Sequence, residues 1–413
     1  MACRRTHPHV GPLYFSRWSE DMKKFLFCIG LSLLCACHQQ PGPSTTTLPS
    51  DEAPQPILFS QDAGSTEMDS GRTDAGPSTP IELFDSGLQS SPVEDSDAGT
   101  DAGFLSVNSC FADIYDPTVP GPDYDQFMPT VGSHCAGTQH QNIQNVERVV
   151  FLGDSVTMGS PPTESGDFYR NRLTDWLANR FGLSAPNGLW ERYNPLDGEA
   201  LVKQSGDFWN CARWGARTDD LMEDNSQVMN CFPQEERNKK TLVVLTIGGN
   251  DISNLTQNGY NQTYEHNLEQ TENFVRLLSE TIEWLKNPDN VPGGTYVVFG
   301  NMFEFTDGTG DIGSCPTSSF AGFEDWEDTQ MLEELVIWAN EQFLSIAVDT
   351  GSDMVFMLES FCGHGFNHDN PQGRCYRGPN TERWFDLTCI HPNPSGHSAL
   401  ADLFQNVIAG DNN

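Results

Sequence analysis

The chain is short of positive charge. It carries 22 Lys+Arg against 58 Asp+Glu, a formal net charge of −36. That balance excludes a protein that tracks nucleic-acid phosphates, which needs a basic face. It also excludes a polybasic protein held on a membrane surface by charge. Long apolar runs are missing as well. The one extended run near the N-terminus, Phe25 to Leu34, is interrupted by Cys28, Gly30 and Ser32. At about ten residues it is too brief to span a bilayer, which takes roughly 20. Paired CxxC knuckles of the kind that hold structural zinc are also missing, although the chain has 12 cysteines. So many cysteines without a zinc pattern point away from a reducing compartment.

The apolar run suits the core of a signal peptide, because Met22-Lys23-Lys24 supplies the positive region before it. Met22 reads as the start of translation, and residues 1–21 resemble no signal region. The run ends in Leu34-Cys35-Ala36-Cys37, which resembles a bacterial lipobox. The resemblance implies that Cys37 is lipidated after cleavage. The alternative is an ordinary signal peptide cleaved near Ala36. His38 rather than Asp follows Cys37, which by resemblance to bacterial sorting signals favours the outer membrane, with the cell surface and the periplasmic face both open.

Residues 38–105 read as a tether. Pro, Ser, Thr, Gly, Ala and Asp dominate, and aromatic residues are scarce. Such a segment cannot bury enough apolar surface to offset its chain entropy, so disorder is expected. Asp-Ala-Gly recurs at Asp62, Asp74, Asp97 and Asp101. A calcium-binding repeat would need a strict short period with alternating apolar residues, and the spacing here is irregular.

The remainder, residues 106–413, reads as one domain of α/β class. Arg148 to Leu152, Thr241 to Ile247, Thr295 to Phe299 and Met354 to Leu358 are short, nearly continuous apolar runs. Strands of that kind are buried on both faces, as in a parallel sheet. Helical spacing of apolar residues appears over Phe168 to Phe181, Tyr264 to Leu285, Met331 to Ala347 and Gly396 to Ile408. The alternation predicts a three-layer α/β/α domain with a doubly wound parallel sheet. In such a sheet the ligand crevice lies beyond the C-terminal ends of the strands. Eight cysteines fall in this region, and an even number beyond an export signal implies disulfides. The pairs nearest in sequence, Cys110–Cys135, Cys211–Cys231 and Cys362–Cys375, would leave Cys315–Cys389.

Four short blocks carry the chemistry. The first predicted strand ends in Gly153-Asp154-Ser155. A serine at a strand tip before a helix can aim its hydroxyl into the crevice beside free backbone N–H groups, as a nucleophile requires. The second ends in Gly248-Gly249-Asn250-Asp251, where an Asn amide can donate to a developing oxyanion. Between them, Gly215 lies in Cys211-Ala-Arg-Trp-Gly-Ala-Arg-Thr218 and can offer a backbone N–H to the same anion. Near the C-terminus stands Asp386-Leu-Thr-Cys-Ile-His391-Pro-Asn-Pro-Ser-Gly-His397. A neutral imidazole at His391 can take the serine proton while a carboxylate holds its tautomer.

The ordered set GDS, Gly, GxND and HPNxxGH resembles the SGNH/GDSL hydrolase family over about residues 147–409. The resemblance implies a flavodoxin-like sheet, Ser155 as nucleophile and His391 as general base. It also implies an oxyanion hole built from the Ser155 N–H, the Gly215 N–H and the Asn250 side chain. The expected activity is hydrolysis of carboxylic esters of the esterase or lipase type, acting on a lipid or an acylated carbohydrate. The chemistry requires no metal or organic cofactor. A carbohydrate-ester deacetylase on the same site, and a non-catalytic surface lipoprotein that binds glycans, are the alternatives. One departure stands out: the family's acid usually lies three residues before the His, and here that place is Thr388. Asp386, five residues before, is expected to reach His391 through a bulged loop, the other possibility being a backbone carbonyl that orients the ring.

Two further groups invite a functional reading. His364, His368 and Asp369 have ligand-like spacing, against the plainer reading of a disulfide-closed loop on the crevice rim. Phe208, Trp209 and Trp214 could line an acyl or sugar pocket, or belong to the core.

Overall fold

The computed structural model describes residues 136–223, 226–323, 326 and 328–410. The signal segment, Cys37, the tether and the Cys110–Cys135 pair all lie outside the described residues.

Among the described residues, six strands form one sheet: β1 (Arg148–Gly153), β2 (Gln204–Ser205), β3 (Phe208–Asn210), β4 (Thr241–Thr246), β5 (Thr295–Gly300) and β6 (Asp353–Val355). Their order across the sheet is β2-β3-β1-β4-β5-β6. Only the short β2 runs antiparallel; β3, β1, β4, β5 and β6 are mutually parallel. The parallel five are therefore ordered second, first, third, fourth, fifth, the flavodoxin-like doubly wound arrangement. Its switch point lies between β1 and its neighbours β3 and β4, where connections leave to opposite faces.

The continuous apolar strands divide their side chains between two cores, as the two-residue period of a strand dictates. Val150, Leu152, Val243, Leu245, Val297 and Phe299 face one side. They pack against α3 (Gln227–Cys231), α5 (Tyr264–Lys286) and α6 (Thr329–Thr350). Val149, Phe151, Leu242, Val244 and Val298 face the other, against α2 (Tyr169–Phe181) and α8 (Pro394–Ala409). Each side chain that is fully withdrawn from water contributes about 1.5–3 kcal/mol. A one-residue slip of any strand would exchange its two faces, so both cores fix the register together. On the second side Tyr169 stacks on Phe404 with ring centroids 5.3 Å apart, joining α2 to α8. Two shorter helices, α1 (Ser155–Met158) and α4 (Gly249–Asn258), follow directly on β1 and β4, and α7 (Met357–Phe361) follows β6.

The last predicted strand needs correction. The apolar run Met354 to Leu358 is split: only Asp353–Val355 is strand, and Met357 already belongs to α7. Long-range bonds decide the break. The Phe356 N–H goes to the Ala136 carbonyl, and the Leu358 N–H goes to the Asn301 side chain at 2.9 Å.

Three expected disulfides are present: Cys211–Cys231, Cys315–Cys389 and Cys362–Cys375. Phe208 and Trp214 are buried, and Trp209 packs against the first core. These aromatics are structural and do not line the cavity described below.

Candidate active site

β1 ends where only glycine fits. Gly153 has φ +122°, and a Cβ there would sit 1.9 Å from the Thr246 carbonyl oxygen of β4. The Gln227 side-chain amide holds both backbone groups of Gly153: its oxygen accepts the N–H at 2.6 Å and its nitrogen donates to the carbonyl at 2.8 Å. Asp154 then caps α1, its Oδ1 accepting the Val156 N–H at 3.0 Å and the Thr246 hydroxyl at 3.1 Å. Ser155 is thereby the first residue of α1, where a backbone N–H has no intrahelical partner. Burial pushes the Asp154 carboxyl up to about 7.

His391 arrives from the other end of the chain. Phe385 and Pro392 form an antiparallel bridge, and the Asp386 N–H donates to the His391 carbonyl at 2.9 Å. Residues 386–391 are therefore a tight loop. Its tip turns at Cys389, which has φ +71° and is tied through its disulfide to Cys315. At the exit, Asn393 caps α8 by accepting the Gly396 N–H at 2.9 Å. The loop sets His391 Nε2 2.8 Å from Ser155 Oγ. Burial holds the imidazole well below its ordinary range, at about 4, so the ring is neutral at pH 7.

The acid does not stand where the sequence led us to expect. Among the described residues, no hydrogen bond joins the Asp386 carboxylate to the imidazole directly. Thr388 stands between: its hydroxyl lies 2.8 Å from His391 Nδ1, and its hydroxyl and backbone N–H both donate to Asp386 Oδ1. Among the described residues, the ring nitrogens bond Thr388 and Ser155 and no backbone carbonyl. Asp386 Oδ2 is buried without a hydrogen-bond partner, and burial raises this carboxyl to about 6.

The remaining site residues come from α4 and from the loop that follows β3. Asn250 is in the first turn of α4, and its side-chain amide donates to the Ala216 carbonyl at 2.9 Å. Asp251 accepts the Thr218 N–H at 3.1 Å and the Thr218 hydroxyl at 2.9 Å. Together they hold the Arg213–Thr218 loop. Gly215, with φ +70°, sits at its turn, and the Arg213 N–H anchors the loop to the Gly153 carbonyl at 3.0 Å. Sequence reasoning passed over Asp251 and Gln227. The carboxylate beside Asn250 was a visible signal for the first; nothing local marked the second.

Ser155, Asn250 and His391 open on one cavity of about 120 Å³. Its walls are largely apolar, with Ile247, Ile252, Met302, Phe305, Val336 and Leu358 among them. Glu304 is a polar exception, and burial raises its carboxyl to about 7. His364, His368 and Asp369 do not line this cavity, and the two histidines are otherwise engaged. His364 stacks on Trp384 at 3.4 Å with Nδ1 2.6 Å from the Glu382 carbonyl, and His368 Nδ1 lies 2.8 Å from the Gly365 carbonyl. Among the described residues, no group of three or more His, Cys, Asp or Glu side chains could hold a metal ion.

A doubly wound sheet with a serine and a histidine paired over the ends of its first strands is the frame on which the comparisons fall. The family model described as GDSL-like Lipase/Acylhydrolase matches residues 149–404. The chain belongs to this family of ester hydrolases. Among solved structures it is similar to phospholipase A1 from Streptomyces albidoflavus NA297, at 16% identity, covering 63% of this chain and 99% of that one with a TM-score of 0.39. An extracellular lipase from Streptomyces rimosus is similar at 18% identity, covering 63% and 100%, TM-score 0.37. The acetyl xylan esterase AlAXEase is similar at 15% identity, covering 63% and 98%, TM-score 0.37. Comparison with curated proteins gives no match.

Proposed function

We propose that the chain is an exported, lipid-anchored serine hydrolase that cleaves carboxylic esters through an acyl-enzyme. The observation that carries the reading is the 2.8 Å approach of His391 Nε2 to Ser155 Oγ at the mouth of an apolar cavity. His391 Nε2 takes the Ser155 proton as Oγ attacks the ester carbonyl. The resulting oxyanion sits among the Ser155 N–H, the Gly215 N–H and the Asn250 amide, which carries two hydrogens and uses one on Ala216. His391 returns the proton to the leaving alcohol. Water then enters, loses its proton to His391 and releases the acid.

The apolar lining favours an acyl chain over a sugar as the group bound beside Ser155, and so an esterase or lipase over a carbohydrate-ester deacetylase. The anchor rests on the Leu34-Cys35-Ala36-Cys37 motif, with residues 38–105 as tether and 106–413 as the catalytic domain. We place the protein on that motif at the outer membrane of a bacterium.

The test is hydrolysis of p-nitrophenyl acetate, butyrate and palmitate by the full chain and by its Ser155→Ala variant, made in an oxidising compartment. Activity lost in the variant, together with fluorophosphonate labelling of Ser155 in the native chain, is the expected result. Cleavage of acetate alone would turn the reading to the deacetylase. A folded, disulfide-intact chain that neither hydrolyses nor labels would leave a binding module. Loss of fatty-acid incorporation in Cys37→Ser tests the anchor.

A further inference from the structure

The Thr388 hydroxyl lies between Asp386 Oδ1 and His391 Nδ1, and it has one hydrogen to give. We infer that Thr388 is a positioning residue that relays the charge of Asp386 to the imidazole and so selects the tautomer able to act as base. The inference rests on the serine-hydrolase reading and explains how this chain orients its histidine with a hydroxyl in place of the family's acid.

Hydrogen-bond inventory forces the direction. An ionised carboxylate only accepts. Asp386 Oδ1 takes both the Thr388 N–H, at 2.7 Å, and the Thr388 hydroxyl hydrogen. The hydroxyl then turns a lone pair toward His391, 2.8 Å away, and Nδ1 must carry the ring hydrogen. Nε2 is left with its lone pair facing Ser155 Oγ, the state a general base needs. A protonated Asp386 reverses the chain. The hydroxyl hydrogen is released to donate to Nδ1, the ring proton moves to Nε2, and the base is disabled without any change of shape.

The surroundings are compatible with that switch. Arg383, two residues before the Phe385–Pro392 bridge that closes the loop, counters part of the effect of burial on Asp386. From α8, the neutral His397 faces His391. Asp154 and Glu304 line the cavity that His391 borders. The loop is pinned by the Cys315–Cys389 bond and by the Thr317 hydroxyl, which donates to the Leu387 carbonyl. The relay geometry is thus held from outside the catalytic pair.

The experiment compares kcat and KM on p-nitrophenyl butyrate from pH 5 to 8 for the full chain and for Thr388→Ser, Thr388→Val, Asp386→Asn, Thr388→Val/Asp386→Asn and Thr388→Asp/Asp386→Asn, with circular dichroism confirming folding. Thr388→Ser keeps the hydroxyl and should stay within a few-fold of the native kcat. Thr388→Val and Asp386→Asn should each lose on the order of 10²-fold or more in kcat with KM little changed, by analogy with the cost of a wrong tautomer. Their combination should be no worse than either alone, since both break one chain. Thr388→Asp should restore activity in the Asp386→Asn background by placing a carboxylate directly on Nδ1. Native kcat in Thr388→Val, or losses that multiply in the double variant, would overturn the relay. A native chain in which Ser155 does not label with fluorophosphonate would instead sink the serine-hydrolase reading, and the relay with it.

Discussion

The Asn250 side chain donates to the Ala216 carbonyl at 2.9 Å, so the proposed oxyanion donor is also the strut that positions the Gly215 turn. One amide hydrogen is structural, and in the proposed mechanism the other is left for the substrate oxygen. Asn250→Ala therefore removes two things at once. A lost oxyanion donor costs on the order of 10²–10³ in kcat, whereas a lost hydrogen bond costs about 1 kcal/mol of stability. We expect both changes, read as kcat at saturating ester and as the urea midpoint. A destabilised variant with native kcat would remove Asn250 from the oxyanion hole.

The Cys315–Cys389 disulfide joins residues 74 apart and ends next to Thr388, whereas Cys362–Cys375 spans 13. By chain entropy the first stabilises by roughly 4 kcal/mol and the second by roughly 3. Their effects on turnover should differ far more. Replacing Cys315 and Cys389 by Ala frees the tip of the 386–391 loop, and kcat should fall at least tenfold at a temperature where the variant is still folded. Replacing Cys362 and Cys375 should leave kcat within about threefold. Equal kinetic effects would show that the longer bridge serves stability alone.

Stability should respond to pH in a defined direction. Burial raises Asp154, Asp251 and Glu304 to about 7 and Asp386 to about 6. It lowers His391 and His364 to about 4 and His397 to about 3. A carboxyl raised in the folded state gives stability that is full below its unfolded value and is lost as pH rises through the folded one. An imidazole lowered in the folded state gives stability that is full above its unfolded value of 6.5 and is lost as pH falls toward the folded one. Between about pH 4 and 6.5 the two sets oppose each other. Above 6.5 the imidazoles are neutral in both states, and the carboxyls act alone until they ionise near 7. Urea midpoints at pH 5, 6, 7 and 8 should show their steepest fall between 6 and 8, and Asp154→Asn should shallow that fall. A midpoint that climbs over this interval would contradict the assignment.

Much of this frame could be read from the sequence because β1, β4 and β5 are buried on both faces and so appear as unbroken apolar runs. The elements that escaped are those fixed by distant partners. β3 is only Phe208–Asn210, too short to show a pattern, and it is strand because β1 pairs with it. α4 is polar over most of Gly249–Asn258 and resembles a turn until Ile252 and Leu255 find their cores. Ser155 and Asn250 stood out because each opens a helix within a short motif, and His391 because it lies in a short motif just before one. The link from Asp386 to His391 did not. Its route through Thr388 depends on the positive φ of Cys389 and a bond to Cys315, which no local pattern encodes.

Acyl-chain preference should be set by the depth of the cavity. Val336 comes from α6 and Ile252 from α4, and both line the cavity that opens at Ser155. Val336→Trp should fill part of that space from α6, an element that carries none of Ser155, Asn250 and His391. Overpacking costs typically 1–3 kcal/mol of stability, which a sheet packed on both faces and tied by the three disulfides among the described residues should withstand. Each methylene excluded from an apolar pocket is worth about 1–3 kcal/mol of discrimination, so the effect should grow with chain length. We expect kcat/KM for p-nitrophenyl palmitate to fall at least tenfold while that for acetate stays within about threefold. A uniform fall across the series would mean that Trp disturbs the catalytic pair. An unchanged palmitate rate would mean that the acyl chain lies outside this cavity, with the alcohol group inside.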